Sequence, residues 1–200
     1  MQELKRKACR NCNDKFAPFN STTVVCSTPC AIAYAHSRAD KKALSEKRKT
    51  DKLARAELKQ RREALKTASD WKREAQKAFN AWIRARDYGK VCISSGRMMD
   101  WRKMGGAVDA GHYRSTGAAS HLRFNVFNCH AQSVEDNHHL SGNAVDYRIH
   151  LINRIGLERV ERLENDNTPR TFTIEYLKRV KSIFTRRAKL YRKFRGIEAT

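Results

Sequence analysis

The spacing of apolar residues divides the chain into stretches of different character. From about Ala35 to Lys66 the sequence is almost without Gly and Pro and rich in Ala, Lys, Arg, Glu and Leu, which predicts a long helix. Its apolar positions (Leu44, Leu53, Leu58, Leu65) keep no sustained heptad, so the pattern describes either a solvated spacer or a helix lying along phosphates, and argues against a coiled coil. The pattern changes at Thr67 to Asp70. Trp71, Ala75, Ala78, Phe79, Trp82 and Ile83 then recur at helical spacing, with Ser69 or Asp70 as candidate N-cap. This second helix carries an apolar face, and its aromatics read as core. Between Gly89 and Asn143, glycines, histidines and short β-prone pieces replace the helical period. Val145, Ile149 and Ile152, then Leu157, Val160 and Leu163, predict two short helices broken near Gly156. Thr173 can cap a last helix whose stripe runs through Leu177, Val180, Phe184, Ala188, Tyr191 and Phe194.

Composition makes the partner an anion. The 200 residues hold 42 Lys and Arg against 21 Asp and Glu, a net charge of +21, with 40% hydrophobic residues. That is little core material for one large globule and suits small modules joined by charged helix. Such a charge draws any polyanion. No apolar run reaches the ~18 residues of a spanning helix and Met1 to Lys7 has no signal-peptide core, so the expected setting is cytoplasmic, with no membrane partner. Charge by itself argues binding and not catalysis.

Four of the six cysteines fall in two close pairs, Cys9-Arg-Asn-Cys12 and Cys26-Ser-Thr-Pro-Cys30. Two pairs across a short loop can present four thiolates to one Zn2+, whose binding supplies folding energy that so short a segment cannot obtain by burial. About one structural zinc per chain is expected.

The stretch from Cys92 to Asn143 carries the chemistry: Asp109-Ala-Gly-His112, Leu122-Arg-Phe-Asn125, Asn128-Cys-His130-Ala-Gln132, Asn137-His138-His139 and Ser141-Gly-Asn143. Phosphodiester hydrolysis needs a base to activate water, a divalent cation to neutralise charge on the phosphate, and a group to orient the base. An imidazole, a second imidazole or carboxylate, and an Asn amide meet those needs, and the HNH arrangement places them on a hairpin followed by a helix. Singly, each residue has a blander role: a lone His is ordinarily a surface or hydrogen-bonded residue, and Asn137, Ser141 and Asn143 can be turn formers or caps. The ordered set is what points to chemistry.

On Cys26-Ser-Thr-Pro-Cys30, Asn80-Ala-Trp-Ile-Arg84, Cys92-Ile-Ser, Asp109-Ala-Gly-His-Tyr113, Leu122-Arg-Phe-Asn125, Ser141-Gly-Asn143 and Tyr147-Arg148, the chain resembles the NinG (Rap) recombination proteins of lambdoid phages. The resemblance implies a phage-encoded, structure-specific endonuclease acting on branched DNA, including Holliday junctions, alongside phage or host recombination proteins. It implies His112 as general base, Asn128 as the central Asn orienting it, and Asn137 at the third position. Asp109 and His139 then become the candidate ligands of a catalytic Mg2+ or Mn2+, with His130 and Asn143 in support. The family's two Cys-x-x-Cys pairs around the core read here as Cys92-Ile-Ser-Ser95 and Ser133-Val-Glu-Asp136. Hydroxyls are poor zinc ligands, so that second zinc is not expected; either Cys92, Cys129, Asp136 and a nearby His assemble a different site, or Phe124, Val126 and Phe127 hold the hairpin by packing.

The fold expected is mostly α with small β: a zinc knuckle over 1–34, a charged helical linker over 35–68, an HNH (ββα-metal-like) nuclease core with its preceding helix over 69–150, and basic helices over 151–200. DNA contacts are expected from Arg114, Arg123, Lys178, Arg179, Lys181, Arg186 and Arg187, the last five among nine Lys or Arg between Lys178 and Arg195. A homodimer is compatible, with the charged helix or the Leu177-to-Phe194 stripe as interface, although both can equally pack within one chain. Two other readings remain: a catalytically inactive DNA-binding recombination accessory protein with a degenerate HNH fold, and an RNA-binding zinc protein, which leaves the histidines unexplained.

Overall fold

The computed structural model describes residues 5–103, 107–139 and 142–197. They are mostly helical, with two small antiparallel pairs of strands, and fall into two compact units that meet in sequence at Leu65 and Lys66. No helix is long and apolar enough to cross a membrane.

In the first unit, β1 (Lys7–Ala8) pairs with β2 (Lys15–Phe16), and helix α1 runs Thr28–Ala64. Ser27 caps α1 by accepting the Cys30 N–H, and Pro29 stands in the first turn, where its missing N–H leaves no bond unmade. No residue of α1 is buried, and Leu44, Leu53 and Leu58 face solvent. Its side-chain support is of the exposed Lys49–Glu46 and Arg61–Glu57 kind, one turn apart.

The second unit is built on α2 (Ala68–Arg86) and α5 (Ile174–Arg195), which pack face to face. The α2 stripe is buried as its spacing predicts, at Trp71, Ala75, Phe79, Trp82 and Ile83. It meets Leu177, Val180, Phe184 and Ala188 of α5, with Phe79 edge-on to Phe184 at 4.9 Å between ring centres. The α5 stripe is thus spent within the unit as far as Tyr191, which packs on Trp82, while Phe194 is exposed. The cap of α2 is Thr67, not Ser69 or Asp70. Asp70 stands three residues on and returns a bond to the Thr67 N–H, a reciprocal capping box. Thr173 caps α5 as expected.

Against α2 lies the hairpin of β3 (Val108–His112) and β4 (Cys129–Ser133), with His112 opposite Cys129, Gly111 opposite His130 and Asp109 opposite Gln132. A Cβ at Gly111 would overlap the Gln132 amide oxygen, so the buried Gln132 side chain would have to move. A wide π-helical turn, Glu135–His139, follows β4. Then come α3 (Ala144–Ile155) and α4 (Leu157–Asn165), separated by Gly156 at φ +86°. The break is where the sequence puts it, but α3 turns a different face inward. Tyr147 and Leu151 are buried, while Val145 and Ile149 are exposed. The reason is polar as well as apolar: the Tyr147 hydroxyl donates to the Gly111 carbonyl at 3.1 Å and its ring packs on Tyr113.

The helix and hairpin are locked by a buried charge. Asp87, with no exposed surface, accepts from Arg86 Nε and Nη2, from Lys90 Nζ and, at 3.1 Å, from the Ala131 N–H of β4. Arg86 in turn donates to the carbonyls of Val126 and Cys129. Burial opposes ionisation of Asp87, but His130 and Arg86 outweigh it and hold the carboxyl far below the usual range. Removing one member of such a cluster strands the others unpaired. Asp87→Ala is expected to cost about 3–5 kcal/mol of stability, read from urea unfolding of the purified chain; a loss under about 1 kcal/mol would refute this account of the lock.

Candidate functional site

Two groups bring together side chains of the kinds that bind metals or protons. In the first unit, Cys9, Cys12, Cys26 and Cys30 have their sulfurs within 4.8 Å of one another, and among the described residues this is the one cluster of three or more His, Cys, Asp or Glu so disposed. Cys12 to Cys26 and Cys26 to Cys30 each span 3.6 Å, close to the edge of about 3.8 Å that a tetrahedron with Zn–S bonds of about 2.3 Å requires. Backbone N–H groups of Asn11 and Cys26 point at Cys9 Sγ. Burial opposes ionisation of Cys9, but backbone N–H groups, that of Cys12 foremost, outweigh it and bring the thiol down to about 6. The donor set, its spacing and its amide support all fit a closed structural zinc site.

In the second unit the hairpin presents a cleft of about 220 Å³ lined by Ala110, His112, Ser115, Thr116, Asn137 and Gly142. His112 ends β3. Its Nε2 lies 2.9 Å from the Arg123 carbonyl, which can only accept, so Nε2 carries the proton and the lone pair of the neutral ring is on Nδ1. Nδ1 faces Cys129 Sγ at 3.7 Å, and Phe79 stacks on the ring. Burial holds His112 below the ordinary histidine value, partly offset by the bond to Arg123. At neutral pH it is therefore an unprotonated base. Asp109 Oδ2 accepts from Asn137 Nδ2 at 3.0 Å and from His138 Nε2 at 2.8 Å. Behind them, burial depresses the Arg84 guanidinium, with the Asp109 charge opposing the shift.

The geometry departs from expectation at several residues. Asn128 does not touch His112. Its fully buried amide instead spans the hairpin loop, accepting from the Arg114 N–H at 2.9 Å and donating to the Arg114 carbonyl at 3.0 Å. Asn128 therefore fixes the loop that leaves His112 and orients the base only through the backbone. The imidazole that reaches Asp109 is His138; His139 is exposed, with no bond to that carboxylate. Sequence alone gave no means of choosing between adjacent histidines. His130 is buried, its Nδ1 2.9 Å from Arg86 Nη2 and 3.5 Å from Asp87 Oδ2 and its Nε2 3.2 Å from the Phe127 carbonyl, so its support is structural. Asn143, at φ +45°, turns the chain into α3 and bonds Asp146; Ser141 lies outside the described residues.

Arg114 was expected to face DNA but turns inward, donating to the carbonyls of Leu163, Glu164 and Asp166 and to Asn167 Oδ1, and so capping the end of α4. Among the α5 cations, Lys178 and Lys181 lie over the Trp71 ring, Lys181 also pairs with Glu74, and Arg187 lies over Trp82 and Phe184. Their stems belong to the packing. A basic groove that the sequence did not suggest joins Lys72, Arg73 and Lys77 of α2 to Arg123, whose carbonyl holds His112.

Cys92, Cys129 and Asp136 do not assemble a metal site. Cys129 sits beside His112, and Cys92 joins Ser95 and Ser133 in donating to the single Asp136 Oδ2, at 3.1, 2.7 and 2.6 Å. Burial works against ionisation of Asp136, but these donors prevail and keep it below the usual carboxylate range. A hydrogen-bonded carboxylate thus joins the segment before β3 to the turn after β4. Of the three residues expected to hold the hairpin by packing, Phe124 is buried and Val126 packs against the same core, whereas Phe127 is 41% exposed.

Metal analysis of the purified protein should return about one zinc per chain, lost on Cys26→Ser or Cys30→Ser; two zincs would contradict the hydrogen-bonded account of Asp136.

The family model described as "Bacteriophage Lambda NinG protein" matches residues 1–194. The protein called ninG of Enterobacteria phage H19B is 39% identical and that of Escherichia phage lambda 38%, each alignment covering 98% of both chains. The ninG protein of Salmonella phage P22 is 37% identical over 94% of this chain and 95% of its own. No solved structure matches. With the match running across both units, the chain belongs to the NinG family of lambdoid phages.

Proposed function

We propose that this protein is a divalent-metal-dependent, HNH-type endodeoxyribonuclease that hydrolyses phosphodiester bonds in branched DNA such as Holliday junctions. The observation that carries this reading is the placement of a neutral, tautomer-fixed His112 and of Asn137 in one cleft, beside the Asp109–His138 pair. His112 Nδ1 takes a proton from the attacking water, while its Nε2–H stays on the Arg123 carbonyl and keeps the ring from turning. The Cys129 thiol is pushed up by burial, stays protonated, and makes only a long 3.7 Å contact with Nδ1. Asp109 and His138 are the residues that would hold Mg2+ or Mn2+; they fit an ion that takes few protein ligands and completes its shell with water and phosphate oxygens. When bound, such an ion neutralises charge on the phosphate and the leaving oxygen. Asn137 positions the Asp109 carboxylate. Arg123 and the α2 cations Lys72, Arg73 and Lys77 supply phosphate contacts beside the cleft.

A second reading, a DNA-binding recombination accessory protein with a degenerate HNH fold, draws on Asp109 Oδ2 already being satisfied by two donors. One assay separates them: a four-way junction and a matched linear duplex, with and without Mg2+ or Mn2+. Junction cutting that needs the metal and falls about 10²- to 10⁴-fold in His112→Ala supports the nuclease. Wild type that binds the junction and cuts neither substrate supports the accessory protein.

The pH dependence follows from His112. Its proton-binding value is depressed, so the base is free above that value and lost below it. The acid limb of kcat/KM should lie below the ordinary histidine value of about 6.5; a limb above it would mean that another group is the base.

A further inference from the structure

Away from the cleft, the β3–β4 loop and α4 enclose a groove of about 440 Å³ lined by Asn125, Phe127, Arg159, Arg162, Leu163 and Asp166. Its centre is an aromatic ring that the fold has turned outward. Phe124 is buried in the α2–α5 core and Val126 packs against it, yet Phe127 keeps 41% of its surface exposed. The loop enforces this, because Asn125 Oδ1 accepts the Phe127 N–H at 2.9 Å and turns the chain there. The Arg159 guanidinium lies 5.2 Å from the ring centre and is tethered to the Ile155 carbonyl. Among the described residues Arg162 pairs with Glu158 at 3.4 Å, an exposed contact too weak to withhold it from a phosphate.

The walls of the groove are fixed with respect to the cleft. Arg114 closes the end of α4 through Leu163, Glu164 and Asp166, His121 adds a bond to the Asp166 carbonyl, and the Arg114 backbone is held by Asn128 two residues beyond His112. A rigid aromatic face, a planar guanidinium, a second cation, and an amide and a carboxylate at the rim together suit one kind of ligand. A base has a π-face for the ring, polar edges for Asn125 and Asp166, and a phosphate for the arginines. A paired base in duplex DNA has its faces covered by its neighbours, so the ligand is a base out of the stack.

We propose that the Phe127–Arg159 groove binds an unpaired nucleobase of single-stranded or unstacked DNA, with the adjoining phosphate on Arg159 and Arg162. It rests on the nucleic-acid part of the function proposed above and not on catalysis. The groove gives the protein a means of favouring branched over linear DNA, since branch points and single-stranded arms offer such bases.

The test is equilibrium binding of end-labelled single-stranded oligonucleotide and blunt duplex by fluorescence anisotropy, without added divalent cation. The proteins compared are full-length wild type, Phe127→Ala and Phe127→Trp. Phe127→Ala should weaken single-strand binding by about 5- to 150-fold, the loss of one stacked base, and leave duplex binding essentially unchanged. Phe127→Trp should keep single-strand affinity, and duplex binding retained by Phe127→Ala shows that this variant is folded. An unchanged single-strand affinity in Phe127→Ala, or equal losses on both DNAs, overturns the groove. Wild type that binds neither DNA overturns the nucleic-acid reading together with it, whereas a non-cutting protein that still discriminates at Phe127 overturns the nuclease alone.

Discussion

The second unit depends on a carboxylate that has no contact with water. Asp87 follows directly on α2, and each of its bonds reaches a part that would otherwise be free: the last residue of its own helix, the lysine three residues on, and the backbone of β4. An ion in that position is costly unless every lone pair is used, so the cluster admits one arrangement of helix and hairpin. Hydrophobic packing of α2 on α5 supplies the bulk of the contact and tolerates sliding. The charge cluster does not. It fixes where β4 starts, and through the register of the hairpin it fixes where His112 ends β3.

From the hairpin outward the structure relies on side chains that bond to backbone. Asn128 closes the loop on both polar atoms of Arg114, and the Arg114 side chain then closes α4. The Tyr147 hydroxyl ties α3 to Gly111, and Gln132 donates to Ser94 and to the Gly142 carbonyl. These are bonds to groups that would be orphaned on burial, and they hold a loop-rich segment with little apolar area of its own. The candidate cleft and the Phe127 groove both open from this one scaffold.

The two cysteine-bearing regions solve a shared problem differently. Four thiolates near one another repel unless a cation joins them, and Cys9, Cys12, Cys26 and Cys30 have the spacing for that cation. Around Asp136 the donors are two hydroxyls and one thiol, and the negative charge is on the hub itself. A carboxylate receiving three hydrogen bonds needs no metal to hold two chain segments together. Such a joint is sensitive to acid where a zinc site is sensitive to chelators.

The sequence by itself determined the helices and the thiolate cluster. The α2 stripe from Trp71 to Ile83, the Thr173 cap and the break at Gly156 are local properties, set by residue spacing and backbone preference within a few turns. The pairs Cys9/Cys12 and Cys26/Cys30 are close in the chain and could meet in few ways. Tertiary structure decided everything that depends on which way a side chain turns. Tyr147 and Leu151 went inward in place of Val145 and Ile149 because a carbonyl of β3 was waiting for the hydroxyl. His138 reached Asp109 in place of His139 because a π-helical turn, and not a strand or an ordinary helix, follows β4. Arg114 closed a helix 49 residues on, and Asn128 held that arginine's backbone and not the imidazole. Each of those outcomes satisfies a buried polar group whose partner is distant in sequence, and periodicity within one segment carries no information about it.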